Sequence, residues 1–478
     1  MNMRQTLHIF GKDVRYLWRE ICLVLALDAM FAWIETHSPD PWWAEMLLTA
    51  AAGYLVARLI HAEAIPGDRQ FWITRPYRWK SLLGAKLLFV LVFVNLPILI
   101  AQLLILMVNG FSPVSNLPGL LWSQVLMIIV VSIPIAALAA VTSGIVAFIF
   151  PALILLAIGF GSLEMIWFLH LRQVLEWPVQ VGWVRDSVAV VLLVATALSV
   201  LYIQYRKRGT LLSRSLALGG AALGVAVYVY MPWSLAFAVQ SRLSKQSFDG
   251  SSLQIGLDPN VMKFLPRPML KHVEVDLSIA VSRVPDGVDL EADALAVSFQ
   301  GANGRTWKSG GYDLSTPNTN SRGRGVIIVH GAGLMDLSFF NEERAKPLNV
   351  QGSLYLTVFG NPRSRTVLLR ETPTNVMDGL QCYTDIFGEV LCRSALRWPG
   401  LVVDVKVGGT DTKSFTRFIS YSPFPADMHF NPIETGRALV STQSSREVTF
   451  IAKEPLAHFR LDFQVRGVKL AEFAAAAK

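Results

Sequence analysis

Long apolar runs fill the first half of this chain and are almost absent from the second. From Ile21 to about Ala238 the sequence keeps returning to stretches long enough to cross a bilayer. From Ser241 to Lys478 short apolar and polar pieces alternate. Charge follows the same division. Overall 16% of residues are charged, against roughly 25% in an average soluble protein. The first 240 residues hold 16 of the 43 Lys and Arg residues and 11 of the 35 Asp and Glu residues. The reading is an interfacial helix over 1–18, a polytopic helical membrane domain over 19–240, and an extracytoplasmic β-rich domain over 241–478. The second half is nearly balanced, so the net charge of +8 gives no reason to expect nucleic-acid binding. Membrane topology accounts for the excess.

A spanning helix needs about 20 mostly apolar residues. Seven segments qualify: 19–35, 44–65, 82–108, 119–141, 143–169, 187–205 and 215–236. Asp28 interrupts the first. The fifth contains Pro151, Gly159, Gly161 and Glu164 and is expected to be broken or re-entrant. Arg4, Lys12 and Arg15 occupy the N-terminus, and no cleavage site follows the first apolar run, so that run is expected to be retained. Placing the N-terminus inside puts Arg69, Arg75, Arg78, Lys80, Lys86, Arg206, Lys207, Arg208 and Arg214 on the same side. Only Arg172 and Arg185 then remain in the outer loops. Seven crossings carry residues 241–478 outside. Trp42, Trp43, Trp177, Trp183 and Trp233 fall near the outer boundary. Residues 3–18 place Leu7, Ile9, Phe10, Val14, Leu17 and Trp18 largely along one side, which suits a helix in the inner interface; a disordered tail is the other reading.

The inner loop between the second and third spans is short, basic and aromatic. It carries Glu63, Arg69, Phe71, Trp72, Arg75, Pro76, Tyr77, Arg78, Trp79 and Lys80. Aromatic rings interleaved with Arg are the composition of an interaction hot spot. They also suit an interfacial anchor on anionic lipid. Leu82, Leu83, Gly84 and Lys86 then open the third span.

This loop, with its topology, resembles that of ABC-2 type transporter permeases, the membrane subunits of one branch of ATP-binding cassette exporters. The resemblance rests on Glu63, Phe71, Trp72, Pro76, Arg78, Leu82, Leu83, Gly84 and Lys86, with Ala85 departing from the pattern by separating Gly84 from Lys86. It covers about residues 1–210; the last span and the outer domain are additional. It implies a coupling helix docked on a separate cytoplasmic ATPase. Glu63, Arg69, Phe71, Trp72, Arg75, Pro76, Arg78 and Trp79 are the implied contact residues. It further implies a second permease subunit, identical or related, with ATP and Mg held on the ATPase and no cofactor on this chain. The setting would be a bacterial inner membrane and the substrate is open. An anchored receptor or adhesion protein whose outer domain binds a ligand is the competing class.

Asp28, Arg58, Asn95, Gln102 and Glu164 lie within or near spans, where ionisable groups are functional candidates. Asp28 is read as a polar lining or latch, possible partner Arg58, or as a protonated acid making an interhelical hydrogen bond. Gly220 and Gly224 permit close helix contact. In the outer half, runs such as 272–281, 350–359 and 459–465 predict one or two β-sandwiches. Cys382 and Cys392 flank an expected hairpin with its turn near 385–388, and are read as a disulfide or as two core thiols. No metal site is expected. The chain is not read as an enzyme. It lacks a Walker A loop, H-E-x-x-H and G-x-S-x-G. His330 to Gly333 reads as a strand end and turn.

Overall fold

The computed structural model describes residues 3–37, 42–62, 79–154, 157, 182–207, 209–257, 262–267, 271–285, 288–309, 312–313, 320–321, 326–385, 388–395, 402–407, 414–415, 432–441 and 447–473. A helical N-terminal region is followed by an all-β domain.

The helices are α1 (Met3–Tyr16), α2 (Trp18–His37), α3 (Trp42–His61), α4 (Trp79–Val108), α5 (Pro113–Ala140), α6 (Ile145–Ile154), α7 (Trp183–Lys207), α8 (Thr210–Tyr230) and α9 (Trp233–Arg242). Five of them, α3, α4, α5, α7 and α8, are long and apolar enough to cross a membrane. Helix α2 has the length but carries Arg19, Glu20, Asp28 and Glu35. Helix α6 is the described part of the expected fifth span, and residues 158–181, Glu164 among them, lie outside the described residues. The span expected from 119 starts at Pro113 instead. Ser112 accepts the N–H of Ser115 and Pro113 occupies the first helical turn, where its missing donor costs nothing. The span expected through 236 ends at Tyr230. Pro232 has no N–H to continue the helix and holds Met231 extended (ψ 120°), so α9 starts as a separate helix.

Helix α1 packs on the bundle through Thr6, Ile9 and Asp13, with Leu17 following at the same spacing, and leaves Met3 and Leu7 exposed. Two of those three buried residues are polar, so the face of α1 turned to the bundle is mixed. Gly220 of α8 lies so close to Thr196 of α7 that a Cβ would come within 2.3 Å of that side chain, whereas nothing lies within 4 Å of Gly224. Of these two glycines, Gly220 alone makes a close approach.

The β domain has sixteen antiparallel strands among the described residues. They are β1 (Gln254–Leu257), β2 (Lys263–Arg267), β3 (His272–Ser282), β4 (Asp289–Gln300), β5 (Thr306–Lys308), β6 (Tyr312–Asp313), β7 (Asn320–Ser321), β8 (Val326–Asp336), β9 (Leu348–Leu368), β10 (Thr374–Met377), β11 (Leu380–Thr384), β12 (Glu389–Ala395), β13 (Val402–Val407), β14 (Ser414–Phe415), β15 (Ile433–Ser441) and β16 (Glu447–Val468). A short helix, α10 (Leu337–Glu343), follows β8. A seven-stranded sheet runs β14-β13-β16-β9-β4-β5, with β6 on β4. A five-stranded sheet runs β1-β3-β8-β7, with β2 on β3, and a four-stranded sheet runs β10-β11-β12-β15. Strands β9 and β16 pair from Leu348↔Val468 to Leu368↔Glu447, with bulges between 452 and 457. One end of this ribbon shares a core with the five-stranded sheet, around Phe264, Phe299, Leu354 and Phe340. The other end shares a core with the four-stranded sheet, around Val376, Val390, Val448 and Phe450. The domain is thus two sandwich-like cores on one continuous sheet. His330 and Gly333 lie inside β8, paired to Ser278 and Val275, and form a strand rather than the turn expected.

Candidate functional site

Chain connectivity and contacts define two ends of the helical region. At one end α1 runs into α2, α3 ends, α4 begins, α7 ends and α8 begins. The other end carries the β domain. Residues 63–78 connect the end of α3 to the start of α4 in the chain. Glu63, Arg69, Phe71, Trp72, Arg75, Pro76 and Arg78 lie outside the described residues. Trp79 is the first residue of α4, where its ring meets Tyr202 of α7 edge-on, with centroids 6.3 Å apart. Arg206 lies over the opposite partner ring, Tyr202, at 5.2 Å. The re-entry point of the loop is therefore braced against the end of α7, at its π-helical turn Ile203–Lys207.

A buried ion pair fixes the same region. Lys86 Nζ donates to Asp13 Oδ2 at 2.8 Å and to the carbonyl of Leu59 at 3.1 Å. The two side chains are 4% and 1% exposed, so the pair is closed to solvent. Thr6 Oγ1 adds a bond to the carbonyl of Ser81 at 3.4 Å. One cation thus ties α1, α3 and α4 together next to the loop. Lys86, in the segment that opens the third span, is a clasp between helices. The signal was present in the sequence as the spacing Thr6, Ile9, Asp13, Leu17, which puts an acid in the middle of a packing stripe.

Arg58 pairs with Glu20 at 3.1 Å, two turns of α2 away from Asp28, and the expected Asp28–Arg58 pair is not formed. Asp28 is 6% exposed, and its Oδ1 has no hydrogen-bond partner among the described residues. His61 bonds Thr142 Oγ1 at 3.1 Å, and Arg214 donates to the carbonyl of Val141 at 3.1 Å. These contacts place the start of α8 and the end of α5 at the clasp end.

Midway along α4 and α5 an amide network joins the two helices. Asn95 Nδ2 donates to Gln124 Oε1 at 3.1 Å, Gln124 Nε2 to Gln102 Oε1 at 2.9 Å, and Gln102 Nε2 to Ser123 Oγ at 3.4 Å. Asn95 and Gln102 are seven residues apart and share a face. Gln124 is the partner that sequence reading missed. Each helix has a π-helical turn beside the network, Leu91–Asn95 in α4 and Met127–Ser132 in α5. Such turns shift side chains off the regular helical register and recur at functional sites.

At the far end, Gln381 Nε2 donates to the carbonyl of Asn109 at 3.0 Å and Arg393 to Asn109 Oδ1 at 3.3 Å. These donors flank Cys382 and Cys392, which are bonded to each other across the β11–β12 pair. The tied hairpin sits on the turn between α4 and α5. Asp385 Oδ1 accepts the N–H of Glu389, and Gly388 has φ +77°, closing that hairpin on the side away from the helices.

No family model matches the sequence, and no curated protein matches it significantly. The geometry must therefore carry the functional reading. On the seven-stranded sheet an open trough of about 550 Å³ is lined by Ser298, Lys308, Ser353, Arg460, Asp462 and Gln464. No cluster of metal-ligating side chains exists among the described residues.

Proposed function

We propose that this chain is the membrane subunit of an ABC-2 type exporter, worked by a separate ATPase that docks on residues 63–80. The observation that carries the reading is the Asp13–Lys86–Leu59 clasp beside the point where that loop rejoins α4. A loop that only joined two spans would need no buried ion pair to fix its exit. A loop that receives a push needs its exit rigidly joined to the helices that must move. Helix α4 continues from the clasp through the amide network to Asn109, so a displacement of the loop is delivered along one rod to the β domain.

Charge supports the orientation. Arg4, Lys12, Arg15, Arg19, Arg58, Lys80, Lys86, Arg206, Lys207 and Arg214 lie at the clasp end. Arg185 and Arg242 are the described helix cations at the β-domain end. Under the positive-inside rule the clasp faces the cytoplasm and the β domain lies outside. In that setting the trough offers an emerging substrate a polar surface. Two copies, or this chain and a related one, would form the transport unit, with ATP and Mg on the ATPases.

The test is purification of the full chain from its native membrane. An ATP-binding cassette ATPase is expected to accompany it, and Trp72→Ala combined with Arg75→Glu is expected to release that ATPase while the chain stays folded. Absence of any ATPase from the wild-type preparation overturns the reading and favours the anchored receptor. Protease protection in sealed vesicles checks the orientation, which fails if the β domain is digested only from the cytoplasmic side.

A further inference from the structure

The seam between α9 and the β domain contains a polar cluster that neither the loop nor the transport reading uses. Asp293 of β4 is 1% exposed, Thr357 of β9 is 0% and Gln240 of α9 is 2%. His458 of β16 joins them. Its Nδ1 is 2.7 Å from Thr357 Oγ1, and Thr357 Oγ1 also bonds Asp293 Oδ2. The Gln240 amide nitrogen stands 3.1 Å from Nδ1 and 3.4 Å from Nε2 of the ring. The His458 N–H donates to Ser244 Oγ at 3.0 Å, and Gln246 N–H to the carbonyl of Leu456 at 3.0 Å, so the chain leaving α9 lies along β16. One side of the seam is closed by Phe237 of α9 stacked on Tyr355 of β9, with centroids 3.8 Å apart.

Counting protons fixes the roles. An ionised Asp293 only accepts, and Thr357 has one proton to give, so Thr357 donates to Asp293. Thr357 can then bond His458 only by accepting, which requires a proton on Nδ1. The remaining variable is Nε2. When Nε2 is bare, the Gln240 N–H faces it. When Nε2 takes up a proton, the ring becomes a cation and requires an acceptor. Gln240 Oε1, which as oriented is buried with no hydrogen-bond partner among the described residues, supplies that acceptor by a half-turn of the amide. The charged ring also closes an ion pair with Asp293, whose Oδ2 is 3.8 Å from Nδ1. The second proton therefore gives Gln240 Oε1 a donor and balances the charge of Asp293.

We propose that His458, Thr357, Asp293 and Gln240 form a proton-operated latch that clamps α9 to the β domain more tightly when the imidazole is doubly protonated. Imidazole is the side chain whose ordinary charge change falls between pH 5 and 8. The other charged groups near the seam do not reproduce this switch. Lys245 pairs with Glu454, Arg460 pairs with Asp462, and Arg185 of α7 donates to the carbonyl of Met231. The latch does not rest on the transport reading, since it needs only the contact between α9 and the sheet.

Hydrogen exchange on the full chain in lipid nanodiscs tests it, with rates corrected for the intrinsic pH dependence of exchange. Segments 233–246 and 452–460 are expected to be about tenfold better protected at pH 5.5 than at pH 8, with no such change in 380–394. His458→Gln keeps a hydrogen-bonding side chain that does not titrate and is expected to abolish the difference. Asp293→Asn removes the paired charge and is expected to reduce it severalfold, which gives a second reading if His458→Gln does not fold. Equal protection at both pH values in the wild-type chain overturns the latch. So does a pH difference that survives either substitution undiminished.

Discussion

Each half of the molecule buries a lysine, and the two are held differently. Lys86, in the helical half, has one carboxylate and one backbone carbonyl, and its pair with Asp13 is electrically neutral. Lys453, in the β half, lies between Asp289 and Asp404, with the Phe359 ring 5.9 Å away, and that group carries a net negative charge. Asp289 is 38% exposed, so water screens the excess. The Lys86–Asp13 pair, closed to solvent, has no such outlet. In a helix every backbone bond is internal, so side chains alone join one helix to the next. In a sheet the backbone joins the strands, and a buried charge adds to a contact that already exists.

The largest effect is therefore expected in the bundle. Lys86→Met leaves Asp13 buried without its cation and should destabilise the chain by about 3–5 kcal/mol. Adding Asp13→Asn should recover most of that loss in thermal unfolding of the detergent-purified protein. If Lys86→Met unfolds like the wild type, the clasp is not a closed ion pair. Replacing Cys382 and Cys392 by Ser removes a short cross-link and should cost about 2–3 kcal/mol. The loss should be confined to the core around Val376 and Phe450, read as faster exchange at 374–394 with the core around Phe299 unchanged.

Lys453 should matter less, by about 2 kcal/mol for Lys453→Met, because Asp289 can regain water. Its pH dependence sharpens the contrast. Burial lowers the Lys453 pKa, but the charges of Asp404 and Asp289 and their hydrogen bonds outweigh burial and raise it above the ordinary 10.5. A raised lysine pKa gives stability that is complete below the unfolded value and is lost as pH rises through the folded one. Wild-type β-domain stability should therefore fall above about pH 10.5, and Lys453→Met should flatten that fall. The smallest effect is expected for Asn109→Ala. It removes the side-chain bonds to Arg393 and to the carbonyl of Ile105 but keeps the carbonyl bond to Gln381, and should cost about 1 kcal/mol.

What the sequence disclosed follows from the range of each interaction. Apolar run length marked the helices, and strand alternation marked the β domain, because both are local periodicities. The helix ends at Ser112–Pro113 and at Pro232 were local signals too, but the hydropathy reading began short of the first and ran past the second. Arg58 was assigned to the wrong acid because apolar run length does not fix depth closely: Glu20 lies level with Arg58 at the clasp end, and Asp28 is two turns further along α2. The Lys86 clasp and the His458 cluster join residues 73 and more than 100 positions apart. Alternation in β16 shows His458 on one face without showing that Thr357, Asp293 and Gln240 meet it there.

Strand β16 belongs to both β cores, and its partner β9 lies about a hundred residues earlier in the chain. Neither core has its full wall until β16 arrives. As the chain is synthesised, neither core can therefore close before that one segment emerges. A protein arranged this way is most vulnerable to aggregation and proteolysis just before its last long strand is delivered, and a folding helper acting on it would be needed there rather than at the helices.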